Sequence, residues 1–331
     1  MSKVVILLPK ADSVCGIYDY ATNIYNEIRK EAADVSSMAV DDSAKSWWHC
    51  FTSLKNCNVV MQYPALAYRS SILPILYALV AKLRGIKLTS VVHENSEVSS
   101  RRRMLNRAIT LLSHRIIVTN RVEYEYFPQR IQRKTAIIPI GANTPGEAPE
   151  VDKKQLNNKV VFFGLIRKDK GIEDFIELVD ADQASVFHYV FVAGTTNVDK
   201  EYTDRILSQL KTRNVEIHLN KELMEVHDIL CSCTYAFLTY PDGASERRGS
   251  LLAALKAGCV IFSNDGRQTP VSIQKVINSP NYKALSEMHD SSDENKRDFI
   301  AQSINLSHGY SWNKIASEIM KVATSENITI R

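Results

Sequence analysis

The 331-residue sequence has no long apolar run, no cysteine framework and no decided charge. Its longest apolar stretch, "SILPILYALVAKL" from Ser71 to Leu83, falls short of the ~18 residues a membrane crossing needs and contains Pro74. No membrane span is expected. The opening "MSKVVILLPK" has an apolar run only from Val4 to Leu8, ended by Pro9, which is too short for a signal-peptide core and reads as a first β-strand. A cytoplasmic location follows as the expectation. The cysteines at 15, 50, 57, 231, 233 and 259 lack the paired spacing of a zinc site and are too sparse for a disulfide scaffold, so they read as reduced, mostly buried thiols. The 41 Lys and Arg against 37 Asp and Glu leave +4, too small a surplus to argue for nucleic acid. There is no GxGxxG and no Walker lysine motif, which argues against a nicotinamide or ATP P-loop site. No repeat of 20 to 50 residues and no low-complexity tract interrupts the chain.

What is present is alternation. At 45% hydrophobic residues the chain can fill two cores, and its length suits about two domains. Apolar, β-rich runs recur at "KVVILL", "NVVMQY", "KLTSVV", "RIIVT" and "TAIIPI", with helical stretches such as Ile17 to Lys30 and Arg101 to Leu112 between most of them. The text turns polar in "ANTPGEAPEVDKKQLNN", a linker signature, and the alternation restarts with "KVVFFG", "FHYVFVAG", "VEIHLN", "TYAFLTY" and "GCVIFS". Helical stretches fall at about Ile172 to Leu178, Lys200 to Lys211, Lys221 to Leu230 and Ser250 to Lys256. The fold class expected is α/β, with two Rossmann-like doubly wound parallel-sheet domains facing across a cleft. The expected boundaries are an N-terminal domain at 1–143, a linker at 144–158, a second domain at 159–308 and a final helix at 309–331 crossing back to the first domain. Ligands in such sheets bind beyond the carboxyl ends of the strands.

Two strand-to-helix loops carry unusual charge. In "VVFFGLIRKDKGIEDF" a strand ends at Gly164, the loop holds Arg167, Lys168 and Lys170, and Gly171 opens a helix. In "TYPDGASERRGSLLAALKAG" the loop holds Glu246, Arg247 and Arg248, and Gly249 or Ser250 is placed to cap the next helix. Cations added to free backbone N–H groups and a helix dipole make a diphosphate site, and two such loops converging favour a ligand with two or more phosphate charges. The plainer alternatives are a solvated loop for the first and an internal Glu–Arg pair for the second.

These stretches, with "IIPIGANTP" and "YSWNKIASEIMKVA", resemble the GT-B glycosyltransferases of the large retaining family four, in the right order over nearly the whole chain. The resemblance implies that Lys170 and Arg167 hold the donor diphosphate, Arg167 standing in for an arginine many members carry at position 165, which is Leu here. The family's two glutamates, separated by seven residues, would fall at Ser245 and Ala253; neither is acidic, and Glu246 stands one position from the first. The likeness is to a subgroup whose helix begins "RRGS", where Arg247, Arg248 and the amides of Gly249 and Ser250 carry more of the phosphate.

In the first domain "PKADSVCGIYDYATNI" resembles the family's glycine-containing loop, with Gly16 as its second glycine; a plain turn before a helix is the alternative. "TSVVHENSE" ends a strand at His93, where many members have a histidine on the donor sugar, and Asp19, Glu94 and Asn95 share that rim as acceptor candidates. "SSRRRMLNR" offers Arg101, Arg102, Arg103 and Arg107 at a helix start, for anionic lipid headgroups, for a polyprenyl-diphosphate-linked acceptor, or simply as a solvated face. Trp47, Trp48 and His49 either line an acceptor groove or pack.

The implied activity is retaining transfer of a hexosyl unit from a nucleotide diphosphate sugar to an acceptor hydroxyl, with no cofactor and, absent an Asp-x-Asp signature in the loops, no metal. The family tendency is bacterial surface polysaccharide or glycolipid assembly, in the cytoplasm or peripheral at the inner face of the cytoplasmic membrane; no nucleic-acid partner is expected. The alternatives are a non-catalytic GT-B partner protein, a sugar-nucleotide epimerase or phosphorylase, and a nucleic-acid binder.

Overall fold

The computed structural model describes residues 3–10, 16–31, 34–68, 71–96, 98–195 and 199–325. The chain divides into two compact units, the first Met1–Gly141 with Trp312–Arg331 and the second Ala142–Ser311.

The first unit contains β1 (Val4–Pro9), α1 (Gly16–Glu31), β2 (Val35–Val40), α2 (Ala44–Ser53), β3 (Asn58–Tyr63) and α3 (Leu73–Leu83). β4 (Lys87–Val92), α4 (Ser100–Leu112), β5 (Arg115–Val118), α5 (Arg121–Glu125), α6 (Gln129–Gln132) and β6 (Thr135–Ile137) follow. The strands form one sheet in the order β2-β1-β3-β4-β5-β6, every recorded pairing parallel. Its side chains alternate between two cores: Val5 and Leu7 join Val59, Met61 and the α2–α3 side, whereas Val4 and Ile6 join Val60 and the α1 side. A sheet covered on both faces reads as continuous apolar runs, which is why most of these strands are legible in the sequence. β2, "VSSMAV", is not, because it lies at the edge, mostly half-buried, and needs fewer apolar residues.

The second unit contains β7 (Lys159–Leu165), α7 (Ile172–Ala181), β8 (His188–Gly194), α8 (Lys200–Lys211), β9 (Val215–Leu219) and α9 (Leu223–Cys231). β10 (Tyr235–Phe237), α10 (Gly249–Lys256), β11 (Val260–Phe262), α11 (Val271–Gln274), β12 (Ile277–Asn278), α12 (Tyr282–Asp290) and α13 (Asp293–Ser307) complete it. The order is β12-β11-β10-β7-β8-β9, again with parallel pairings. From β7 the chain winds outward through β8 and β9, then returns to lay β10 beside β7 and winds the other way. The topological switch point of this sheet is therefore between β7 and β10, and that is where doubly wound sheets place ligands.

The stretch 144–158, read as a linker, is fastened to the second unit. Lys154 is buried and donates from Nζ to the carbonyls of Cys231 and Ala257, each at 2.8 Å, and Asn157 is tied to Thr234 and Ser232. The last helix, α14 (Trp312–Thr324), packs in the first unit along α1, burying Ile315, Ala316, Ile319 and Val322. Gly141 lies under the Trp312 indole, where a β-carbon would fall 2.4 Å from the ring.

Candidate functional site

The two charged loops follow neighbouring strands. β7 and β10 pair directly, so the segments 166–171 and 238–248 leave adjacent strand ends at the switch point. They touch at Gly171, the N-cap of α7, which adopts φ 65° with its backbone against Thr239. Gly164, just before the first loop, has only ordinary contact around a β-carbon, at 3.4 Å from Phe162.

In the first loop Arg167 is exposed and pairs with Asp169 at 3.0 Å, and Lys170 lies 3.7 Å from the same carboxylate. Burial is the main cause lowering the Lys170 pKa below its ordinary 10.5; the like charges of Arg248 and Arg167 act in the same direction, against Asp169. The field of Arg248 on Lys170 is the electrostatic trace of the two loops meeting. Lys168 points elsewhere, to Asp199 at 3.1 Å and over the Tyr202 ring.

The second loop is organised by an acid the sequence reading did not single out. Asp242 accepts from both Arg247, at 3.3 Å, and Arg248; the Glu–Arg pair is not formed. Arg248 also lies over the Tyr240 ring, 4.9 Å from its centroid. Glu246 instead accepts a hydrogen bond from Tyr310 at 3.4 Å, and burial raises its pKa. The capping expectation is corrected too. Arg248 occupies the N-cap of α10, no side chain caps the helix, and the Ser250 hydroxyl pairs with Tyr240 at 2.9 Å. The Leu251 amide is engaged by the Tyr240 hydroxyl, and the Gly249 and Ser250 amides are the first-turn groups placed to donate to an anion. Gly249 is packed against Asn143, where a β-carbon would fall 2.1 Å from the amide nitrogen. Of the two positions aligned with the family's glutamates, Ser245 and Ala253, both are fully buried.

Together Arg167, Lys170, Arg247 and Arg248 face two acids, Asp169 and Asp242, at the mouths of two helices without side-chain caps. Four cations gathered at two neighbouring strand-to-helix loops suit a diphosphate. A cleft of about 530 Å³ lies between α7 and the segments after β10, β11 and β12, and Gly171, Thr239 and Tyr240 of the two loops form part of its wall. Glu173, Asp174 and Glu177 line it together with Lys168, whereas Arg167, Lys170, Arg247 and Arg248 do not; its carboxylates make it unsuited to phosphate.

In the first unit His93 stands just past the end of β4, its ring perpendicular to that of Tyr20 with centroids 4.9 Å apart, and pairs through Nε2 with Gln62 Oε1 at 2.9 Å. Burial lowers its pKa to about 4, so the imidazole is neutral near pH 7. Its loop is held from below by Glu123, a fully buried carboxylate that accepts from the amides of Asn95 and Ser96 and from the Ser96 hydroxyl at 2.7–3.0 Å. Asn95, read as a rim residue, turns inward: it is buried and accepts from Asn106 at 3.0 Å. Glu94 is exposed on that rim. Asp19 is exposed in the first turn of α1, its pKa raised by partial desolvation. Gly16 opens α1 with nothing within 4 Å of a β-carbon; residues 11–15 of its loop lie outside the described residues.

Arg101 and Arg102 are exposed, but Arg103 folds back over Tyr126, 5.1 Å from its centroid, and toward the carbonyls of Ser96 and Val98. Trp47 is core, fully buried with its indole donating to the Asp41 carbonyl; Trp48 and His49 are exposed. Among the described residues Cys50, Cys57, Cys231, Cys233 and Cys259 are free thiols, and no cluster of His, Cys, Asp and Glu is arranged to hold a metal. One Asp-x-Asp spacing does occur, Asp180 and Asp182, but at the end of α7: Asp180 pairs with Arg213, and Asp182 accepts from the amides of Val186 and Phe187. No helix among the described residues is long and apolar enough to cross a membrane.

The fold is that of the GT-B glycosyltransferases, α/β with two Rossmann-like domains. Among solved structures the chain is similar to HepE of Anabaena in complex with UDP and glucose, with TM-score 0.70 and 11% identity over 98% of this chain and 100% of that one. An α-glucosyltransferase (AGT) in complex with UDP gives TM-score 0.67 and 11% identity over 98% and 100%. A trehalose-6-phosphate synthase gives 0.65 and 10% over 97% and 98%. No family model matches the sequence, and no curated protein matches it.

Proposed function

We propose that the protein is a glycosyltransferase that moves a sugar from a nucleoside diphosphate to an acceptor hydroxyl. The observation that carries this is the meeting of two cationic loops at the β7–β10 switch point, where Arg248 acts on Lys170 above two helix N-termini. The fold neighbours add support, since HepE and AGT are described with UDP. The hard step is departure of the nucleoside diphosphate from an oxocarbenium-like sugar. Arg167, Lys170, Arg247, Arg248 and the Gly249 and Ser250 amides would stabilise the charge growing on the leaving phosphate, each preorganised donor contributing ~3 kcal/mol. In this reading these cations, rather than a metal, offset that charge, transfer occurs with retention, and the sugar is a hexose. His93 serves as a neutral hydrogen-bonding group toward a sugar hydroxyl, and Asp19 and Glu94 belong to the acceptor side. The acceptor is a glycan or a polyprenyl-diphosphate-linked lipid of bacterial surface assembly, met by Arg101 and Arg102 at the cytoplasmic face of the membrane.

A thermal-shift screen of nucleoside diphosphates and their sugars, on wild type and on Arg167→Ala/Lys170→Ala, tests this. A rise in midpoint that the double variant loses supports the reading; no rise with any of them at millimolar concentration ends it. If donor binds but no acceptor prompts nucleotide release, the non-catalytic alternative takes over. A second reading of the acceptor draws on AGT, which is also described with DNA containing an abasic site, and on the exposed Arg101, Arg102 and Arg107. Nucleotide release stimulated by DNA would favour it.

A further inference from the structure

We propose that α3 and the adjoining surface of α4 form a docking face for an anionic lipid bilayer. The inward side of α3 is ordinary core, with Pro74, Tyr77, Ala78 and Ala81 buried. Its outward side is as apolar. Ile72, Leu76, Leu79 and Leu83 follow one another at steps of four, three and four, a single stripe, and are 58, 42, 42 and 78% exposed. A surface helix normally turns polar residues outward, and one that is apolar all round is normally enclosed; α3 is neither. α4 packs beside it and adds Met104 and Leu111, also exposed.

Charge selects the occupant. Between Asp42 and Glu94 the sequence has no acidic residue, while Lys45, Lys55, Arg69, Lys82, Arg84 and Lys87 fall in that interval. Neither α3 nor α4 contains an acid, and α4 exposes Arg101, Arg102 and Arg107. At the far end of the stripe Lys134 reaches the carbonyls of Leu111 and Ser113 within the field of Lys82, Arg130 and Arg115. A surface that is both oily and anionic matches exposed aliphatic side chains beside the exposed arginines of α4. A nucleic acid would satisfy the cations and leave the leucines in water. A second copy would bring cations against cations.

The proposal deepens the lipid-linked acceptor of the reading above and rests on that reading for its purpose. Its test needs no nucleotide, so it can fail while donor binding succeeds, and the reverse. Wild-type protein is floated with vesicles of phosphatidylcholine plus phosphatidylglycerol, and with phosphatidylcholine alone. The expected result is partitioning onto the mixed vesicles, reduced about tenfold or more in Leu79→Ser/Leu83→Ser, whose circular dichroism and melting midpoint match wild type because both side chains already face solvent. Three results would overturn the proposal: no partitioning of the wild type, equal partitioning of wild type and the serine variant, or a wild-type dimer that the variant dissociates without any vesicle binding.

Discussion

A β-carbon on Gly171 would fall 1.8 Å from the hydroxyl oxygen of Thr239 and 2.7 Å from its carbonyl oxygen. The two loops of the candidate donor site are thus in van der Waals contact through a glycine, and the contact sets how closely Lys170 and Arg248 approach.

Gly171→Ala should therefore cost stability and distort the site together. Alanine at φ 65° is strained by about 1–2 kcal/mol, and the clash brings the loss to roughly 2–4 kcal/mol. Urea unfolding measures it. Adding Thr239→Ala relieves the hydroxyl clash but not the carbonyl one, so the double variant should recover part of the loss. Full recovery would show that the loops are not held at backbone contact.

Asp242→Asn separates a structural from a ligand-binding role for the two arginines. The acid and both partners are largely buried, so losing the charge leaves two cations facing one amide, at about 1–3 kcal/mol. Without ligand the melting midpoint should fall. A nucleoside diphosphate would then meet the arginines without having to displace Asp242, and the midpoint rise on adding it should exceed that of wild type. A fall with an unchanged or smaller rise would mark Arg247 and Arg248 as loop fasteners only.

How much of this was legible divides along physical lines. Strands buried on both faces announce themselves as apolar runs, and Lys200 to Lys211 is the helix read from the sequence. The edge strands β2 and β12 do not, because one of them is mostly half-buried and the other is two residues long. The cations of the site were legible as charge in strand-to-helix loops. Their counterions were not: Asp169 and Asp242 lie within two and six residues of the groups they neutralise, and local sequence does not say which acid of several a folded loop brings round. Glu123 was missed for another reason. It sits 28 residues from the Asn95 amide it accepts, and a buried carboxylate on a short helix looks like any surface acid until the fold closes over it. Trp47 and Trp48, adjacent in sequence, went to the core and to solvent, as period 3.6 on α2 dictates once its inward face is known.

Lys170 predicts the alkaline limit of donor binding. Burial and the neighbouring arginines lower its pKa below the ordinary 10.5, so it loses its proton earlier than a surface lysine would. Only the charged form can pair with a phosphate. Affinity for a nucleoside diphosphate should fall as pH rises toward 10.5, by about 10–100-fold once the charge is gone, the worth of a charge-assisted hydrogen bond. Lys170→Arg, which stays charged, should flatten the profile even if its absolute affinity differs. Isothermal titration calorimetry across the alkaline range reads both, and a wild-type profile as flat as that of the arginine variant would remove Lys170 from the phosphate site.

His93 predicts an acid limit of a different kind, on stability. Its pKa falls from 6.5 to about 4 in the fold, because burial takes the ring out of water. Between those two values the unfolded chain takes up a proton that the folded one refuses, so the stabilisation is complete above 6.5 and is lost as pH falls toward 4. Full enclosure would make the loss about 3 kcal/mol; the part of the residue left open to solvent reduces it to roughly 1–2 kcal/mol. His93→Gln keeps a donor for Gln62 and cannot titrate. Denaturant midpoints measured from neutral pH down toward 4 should fall more steeply in wild type than in the glutamine variant. Parallel slopes would mean that His93 takes up its proton alike in the folded and unfolded chain, so that the fold does not hold the ring neutral.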